Sequence, residues 1–257
     1  MIDLHSHILP GLDDGAATID DSLAIARAAV AAGTRTIVAT PHADLHYDVR
    51  PAARDAALAT LRAALAGEAI ALEVLPGAEV AIDMLIDLDG DDRDALRLGG
   101  GPYLLLESPL AQTAGSFDGY IKRLLEAGER IVLAHPERCP AFQRRPERLE
   151  RLVRAGALTS VTAGAFTGQF GTTVQKFAFE MIRSGWVHSV ASDCHDAVRR
   201  SPRIAEHLER AGLGPLSSWL THDVPTAVLA GTAIPAPPVA PGDAIKRPRR
   251  GGRLFRR

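Results

Sequence analysis

Apolar, often β-branched runs alternate with amphipathic stretches along nearly the whole chain. The apolar runs predict strands at 2–5, 35–40, 71–75, 103–107, 130–134, 158–162 and 187–191. Between them, apolar positions recur with helical spacing at 19–32, 52–66, 80–88, 117–127, 146–155, 172–184 and 202–211. Thr18, ahead of Asp20 and Asp21, is placed to cap the first helix. Gly33, Gly67, Gly128, Gly156, Gly185 and Gly212 each stand where a helix should stop. Strict alternation with short connections predicts a parallel sheet wound in the right-handed sense. Seven strand–helix units could stay open or close on themselves.

The candidate chemistry bears on that choice. His5, His7, Asp14, His42, Glu79, Glu107, His135, Asp193 and His195 fall at or beyond the C-terminal ends of predicted strands. Strand C-terminal ends are where parallel α/β folds gather distant segments around one site. Residues two apart on an extended chain face the same side, so His5 and His7 can serve one ion. Convergence of ligands from six of the seven strands favours closure, because an open sheet would spread them too widely. The expectation is a distorted (β/α)7 barrel over residues 1–231. Imidazole and carboxylate without thiolate suit Mn, Fe or Zn rather than Cu(I) or an iron–sulfur cluster.

Composition narrows the class without changing the fold. With 257 residues and 46% hydrophobic content, the chain matches one α/β barrel of about 250 residues. Two cysteines, Cys139 and Cys194, are no disulfide framework. No apolar run approaches the roughly 18 residues needed to span a bilayer, so a cytoplasmic protein is expected. The net charge of −2 hides an asymmetry, since residues 246–257 carry seven Lys or Arg and no acid. Prolines at 235, 237, 238 and 241 precede that basic run, and residues 232–257 read as a disordered tail. Its charge suits peripheral contact with an anionic membrane or an acidic partner. No nucleic-acid partner is indicated.

Cys139 and Arg145 have the C-x5-R spacing of thiol-based phosphatases. The intervening residues contain no glycine, however, and Pro140 removes an amide donor from the would-be phosphate cradle. Cys194 lies between two candidate ligands, where strand alternation should turn it away from any ion. His46, in a loop-like stretch, reads as a surface residue with reach to the pocket mouth as the alternative, while His188, His207 and His222 lack partner motifs and read as structural.

Six spaced segments carry a family resemblance: residues 5–15 (HSHILPGLDDG), 39–42 (ATPH), 77–79 (GAE), 105–107 (LLE), 134–138 (AHPER) and 192–195 (SDCH). Together they resemble the polymerase and histidinol phosphatase (PHP) superfamily. Within it, they resemble the bacterial tyrosine-protein phosphatases of capsule and exopolysaccharide synthesis. The likeness spans roughly residues 1–230 and departs from the usual pattern at Ala43 and Cys139. It implies a distorted seven-stranded barrel holding three metal ions. One ion would be bound by His5, His7, Glu79 and Asp193, a second by Asp14, His42 and His195, and a third by Glu79, Glu107 and His135. It also implies that Arg138 and Arg200 grip the phosphate, with planar forks suited to paired oxygen contacts.

Clustered dications acidify a shared water and neutralise phosphoryl oxygens, so no side-chain nucleophile is required. Phenol, with a pKa of about 10, leaves more readily than an aliphatic alcohol, which fits the absence of a dedicated acid. The resemblance implies a phosphotyrosine protein as substrate, with a bacterial tyrosine kinase as partner. The alternatives are a phosphatase of small metabolites such as histidinol phosphate and a non-enzymatic metal-binding module.

Overall fold

The computed structural model describes residues 1–110 and 117–240. Nine strands appear among them: β1 (Ile2–Ser6), β2 (Thr36–Ala39), β3 (His42–Ala43), β4 (Glu73–Pro76), β5 (Glu79–Val80), β6 (Tyr103–Glu107), β7 (Arg130–Ala134), β8 (Leu158–Thr162) and β9 (Ser189–Ala191). All pairings are parallel, in the orders β1-β2-β4 and β3-β5-β6-β7-β8-β9. The fold is thus mixed α/β with parallel sheets.

Nine strands rather than seven arise because the second and third expected strands are each followed, after a break, by a two-residue strand, β3 and β5, beyond the expected runs. Pro41 has no N–H to continue the ladder after β2. Gly77 stands where a Cβ would lie 2.7 Å from Val38 Cγ1, so only glycine permits the close approach after β4. The pairing keeps the same 37-residue offset across the break, Thr36 opposite Glu73 and His42 opposite Glu79. His42 and Glu79 therefore lie side by side. The first and last strands also meet: Ser6 bridges Cys194 in parallel, His7 N donates to Cys194 O at 2.9 Å, and Asp193 N donates to His5 O at 2.9 Å.

The helices are α1 (Ile19–Ala31), α2 (Pro51–Gly67), α3 (Ile82–Asp87), α4 (Gly90–Ala95), α5 (Phe117–Glu126), α6 (Pro140–Arg144), α7 (Pro146–Arg154), α8 (Thr172–Arg183), α9 (Ile204–Arg210) and α10 (Val224–Ala230). Thr18 caps α1 with a reciprocal bond to Asp21. Helix α3 begins at Ile82 rather than residue 80, because Glu79 and Val80 belong to β5. One apolar cluster lies under α1 and α2, with Ile8, Ile25, Ile37 and Leu61; a larger one joins β6–β9 to the remaining helices through Leu105, Val132, Phe142 and Phe166. Such packing fixes the strand ends from which the site is built.

Of the expected tail, residues 241–257 lie outside the described residues. Residues 232–235 differ from the expectation of a detached extension. Ile234 packs on the larger cluster, and Trp219 Nε1 donates to Pro235 O at 2.8 Å. The turn holding Trp219 is a π-helical segment, Trp219–Asp223, leading directly into α10.

Candidate metal centre

All nine sequence-predicted ligands converge. Three groups have ligand atoms within 4.8 Å of one another: His7, Asp14, His42 and His195; His5, His7 and Asp193; and His42, Glu79 and Glu107. Glu79 is central, with Oε2 3.1 Å from His5 Nε2, 3.5 Å from His7 Nε2 and 3.1 Å from His42 Nδ1, and Oε1 2.6 Å from His135 Nε2. The first group adds His7 to the expected Asp14, His42 and His195, and the second holds His5, His7 and Asp193 without the expected Glu79. In the third, His42 stands with Glu79 and Glu107 where the resemblance implies His135, which instead meets Glu79 and lies beside the His5 ring, centroids 5.7 Å apart.

The backbone contributes to this convergence. His135 and Asp193 follow β7 and β9 with φ of 34° and 51°, a left-handed conformation that non-glycine residues rarely adopt. Strain of this kind persists where surrounding structure enforces it, typically at functional sites. His135 N is held by Ser160 O at 2.8 Å, and Asp193 N by His5 O. Each side chain is thereby turned across the strand ends.

Electrostatics make the centre a ready cation site. Burial would raise the Glu79 carboxyl, but His5 and His135 hold it well below the ordinary range. Asp193, also buried, is held down chiefly by His5 and His7. Glu107 behaves oppositely: burial, then the Glu79 charge, pushes it up to about 8. Glu79 Oε2, His42 Nδ1, His135 Nδ1 and His195 Nε2 are buried without a hydrogen bond. Each such orphan costs about 1–3 kcal/mol. Four lone-pair-bearing or ionisable atoms left this way in one cluster fit bound dications.

Arg138 and Arg200 reach the same centre and share one atom. Arg138 Nη1 lies 2.7 Å and Arg200 Nη2 2.8 Å from Asp193 Oδ2, while Asp193 Oδ1 faces His5, His7 and His195 at 3.4–3.7 Å. One carboxylate thus joins the arginines to the ligand cluster. Phe170 supports the Arg138 guanidinium at 4.7 Å from its ring centroid.

Two residues escaped sequence reasoning. The buried Asp13 carboxylate accepts His7 Nδ1–H at 2.7 Å and His42 N–H at 2.9 Å on Oδ2, and Gly15 N–H at 3.0 Å on Oδ1. It fixes the His7 ring with Nε2 toward the cluster, as carboxylates do behind metal-binding imidazoles. The Asp-Asp pair was visible, yet spacing alone does not say which carboxylate turns inward. Glu137, buried beside His135, accepts Thr162 N–H at 3.0 Å and steadies the turn bearing Arg138; burial raises it to about 7.

The cysteines take no part in this centre. Cys139 is buried against the larger core and Cys194 in the smaller one, and burial raises both thiols. Of the remaining histidines, His46 packs edge-on against Tyr47, which stacks on His42 at 5.7 Å. His188 is half-buried beside Thr159, His207 bonds Thr167, and His222 is exposed beside Asp223.

Residues 1–211 match the family described as Capsular polysaccharide synthesis, CpsB/CapC. The tyrosine-protein phosphatase YwqE of Bacillus subtilis (strain 168) is 38% identical over 209 residues, spanning 81% of this chain and 82% of that protein. The tyrosine-protein phosphatase CpsB of Streptococcus pneumoniae is 29% identical over 214 residues, spanning 80% and 87% respectively. A crystal structure from work on YwqE and CpsB, described there as unique metal-dependent tyrosine phosphatases, superposes with a TM-score of 0.79. It is 34% identical and covers 91% of this chain and 96% of its own. The chain belongs to the CpsB/CapC family of capsular polysaccharide synthesis.

Proposed function

We propose that the protein is a metal-dependent tyrosine-protein phosphatase acting in capsule or exopolysaccharide synthesis. The observation that carries this reading is the convergence of nine imidazoles and carboxylates, four with buried atoms lacking hydrogen bonds, beside two arginines. Similarity to YwqE and CpsB supports the substrate class. The two sheets, meeting through Ser6 and Cys194, are read as one distorted (β/α)7 barrel of the PHP type.

Three ions are proposed, Mn favoured. His5, His7, Glu79 and Asp193 would hold the first; Asp14, His42 and His195 the second; and Glu79, Glu107 and His135 the third. When bound, such dications supply an acidified water and neutralise phosphoryl oxygens. The chain's own residues do the rest. Glu79 ties the ligand groups together, and Asp13 orients His7. Arg138 and Arg200, each with donors beyond those given to Asp193, hold phosphoryl oxygens in place. Asp14 has 49% of its side chain exposed, so the centre opens to solvent on the Asp14 side. The aryloxide departs there.

The proposed partner is a phosphotyrosine protein, a bacterial tyrosine kinase foremost. No helix among the described residues is long and apolar enough to cross a membrane. A cytoplasmic enzyme is proposed, with the basic run at 246–257 bringing it to the anionic inner face. The test is turnover by Mn-loaded protein of a phosphotyrosine peptide, a phosphoserine peptide and histidinol phosphate. Highest kcat/KM on the phosphotyrosine peptide is expected. Equal or better turnover of histidinol phosphate would replace this reading with a metabolite phosphatase, and no turnover of any would leave a binding module.

A further inference from the structure

Large exposed apolar side chains are few among the described residues: Leu45, Leu110, Val198 and Val239. Single exposed apolar residues are ordinary on any surface, and position is what sets three of these apart. Leu45, Leu110 and Val198 each stand three residues beyond a candidate ligand, His42, Glu107 and His195 respectively. Three residues span at most about 11 Å, so each backbone stays within that reach of its ligand.

Leu45 (63% exposed) and Val198 (79% exposed) also lie in hydrogen-bonded turns. Asp44 Oδ1 accepts the N–H groups of His46 and Tyr47 at 2.8 and 2.7 Å, and Asp48 N returns to Asp44 O at 2.8 Å. On the loop after His195, Asp196 Oδ1 accepts the N–H groups of Val198 and Arg199, and Oδ2 that of Arg200 at 3.2 Å. His195 N closes that loop on Arg200 O at 2.9 Å. Two carboxylate-capped turns therefore hold an apolar side chain out into water on loops leaving His42 and His195, whose rings are 6.3 Å apart. From Val198 a groove of about 340 Å³ continues past Arg199, Arg203, Glu206 and Arg210, with three cations against one anion.

We propose that Leu45 and Val198 form a docking lip for the polypeptide flanking the phosphotyrosine, a segment carrying an apolar residue next to it and acidic residues beyond. This rests on the phosphatase reading and deepens it. A small phosphate ester would end at the metal centre and leave the lip and the groove untouched. A peptide would cover both, burying apolar surface at the lip and placing its carboxylates among the arginines.

The test compares wild type with the Leu45→Ser/Val198→Ser double variant on two substrates, p-nitrophenyl phosphate and an acidic phosphotyrosine peptide with an adjacent leucine. Both side chains are exposed, so the variant should fold. The ratio of kcat/KM for peptide to that for p-nitrophenyl phosphate should fall about tenfold, through KM, on loss of two partly buried apolar contacts. An unchanged ratio overturns the lip while leaving the phosphatase reading intact. An unchanged ratio with a dimer converted to monomer on gel filtration assigns the surface to self-association instead. Wild-type protein that hydrolyses neither substrate overturns the phosphatase reading and the lip with it.

Discussion

Arg138 and Asp193, 55 residues apart in sequence, meet at 2.7 Å through Nη1 and Oδ2, and Asp193 turns its other oxygen to the imidazoles of His5 and His7. The carboxylate is thus anchored on one side by a cation that is itself a candidate phosphate ligand. Phosphate binding and metal binding share one side chain.

Replacing Arg138 by Ala should separate the two roles. Metal content should be retained, because the five donors of the guanidinium are not metal ligands and Arg200 still pairs with Asp193 Oδ2 at 2.8 Å. KM for an aryl phosphate should rise by about tenfold or more, the loss of a charge-assisted contact of about 1.5–3 kcal/mol. Lys should restore little, since an ammonium cannot reproduce the fork. Metal analysis beside steady-state kinetics checks this, and loss of ions in the Ala variant would refute the assigned role.

Asp13→Asn should weaken metal binding without unfolding the chain. The carboxylate accepts three N–H groups, from His7, His42 and Gly15, whereas an amide must turn its NH2 toward at least one of them. Loss of such a supporting contact costs roughly 10–100-fold in metal affinity. Calorimetric titration with Mn would show this, and wild-type affinity in the variant would exclude Asp13 from the centre.

Metal uptake should release a proton near neutral pH. Glu107 titrates at about 8 in the metal-free protein, against an ordinary value of 4.5, so at pH 7 its carboxyl must ionise to bind an ion. Apparent affinity should therefore climb as pH rises toward 8. Linkage gives the opposite slope for stability. Between about 4.5 and 8 the folded metal-free state retains a proton that the unfolded chain has lost, so this group's contribution to stability falls as pH rises. Titrations in buffers of different ionisation enthalpy report the proton count, and Glu107→Gln should reduce it.

Much of the site was legible because its residue types stand at strand ends, where parallel topology leaves few places to go. The two-residue spacing of His5 and His7 and the 37-residue offset joining His42 to Glu79 carry the ligands together. What sequence did not reveal were features decided by tertiary contacts. Asp13 and Asp14 are chemically identical neighbours, and only the fold turns one onto His7 and leaves the other half-exposed. Pro41 and Gly77 fall just beyond the apolar runs at 35–40 and 71–75, and nothing in the pattern shows that pairing resumes after them in β3 and β5. Helix α10 contains Pro225, which lowers its local helical signal, and burial of its own Val224 and Val228 in the core sustains it. The meeting of Arg138 with Asp193 leaves no trace in local pattern.

Thiol chemistry should be dispensable. Cys139 is buried in the core with its thiol raised by that burial, and Cys194 likewise. Cys139→Ser should keep at least half of the wild-type kcat on an aryl phosphate, and iodoacetamide should leave the native enzyme active. A hundredfold loss at unchanged metal content would return the C-x5-R segment to consideration.

The central claim is that hydrolysis depends on metal held around Glu79, the carboxylate that touches His5, His7, His42 and His135. The most direct measurement titrates Mn into metal-stripped wild-type and Glu79→Gln protein, following bound metal and phosphotyrosine hydrolysis in the same samples. Activity rising from near zero in step with bound metal in wild type, with both lost in the variant, is the predicted result. Undiminished hydrolysis by the stripped protein, or by Glu79→Gln, would contradict it.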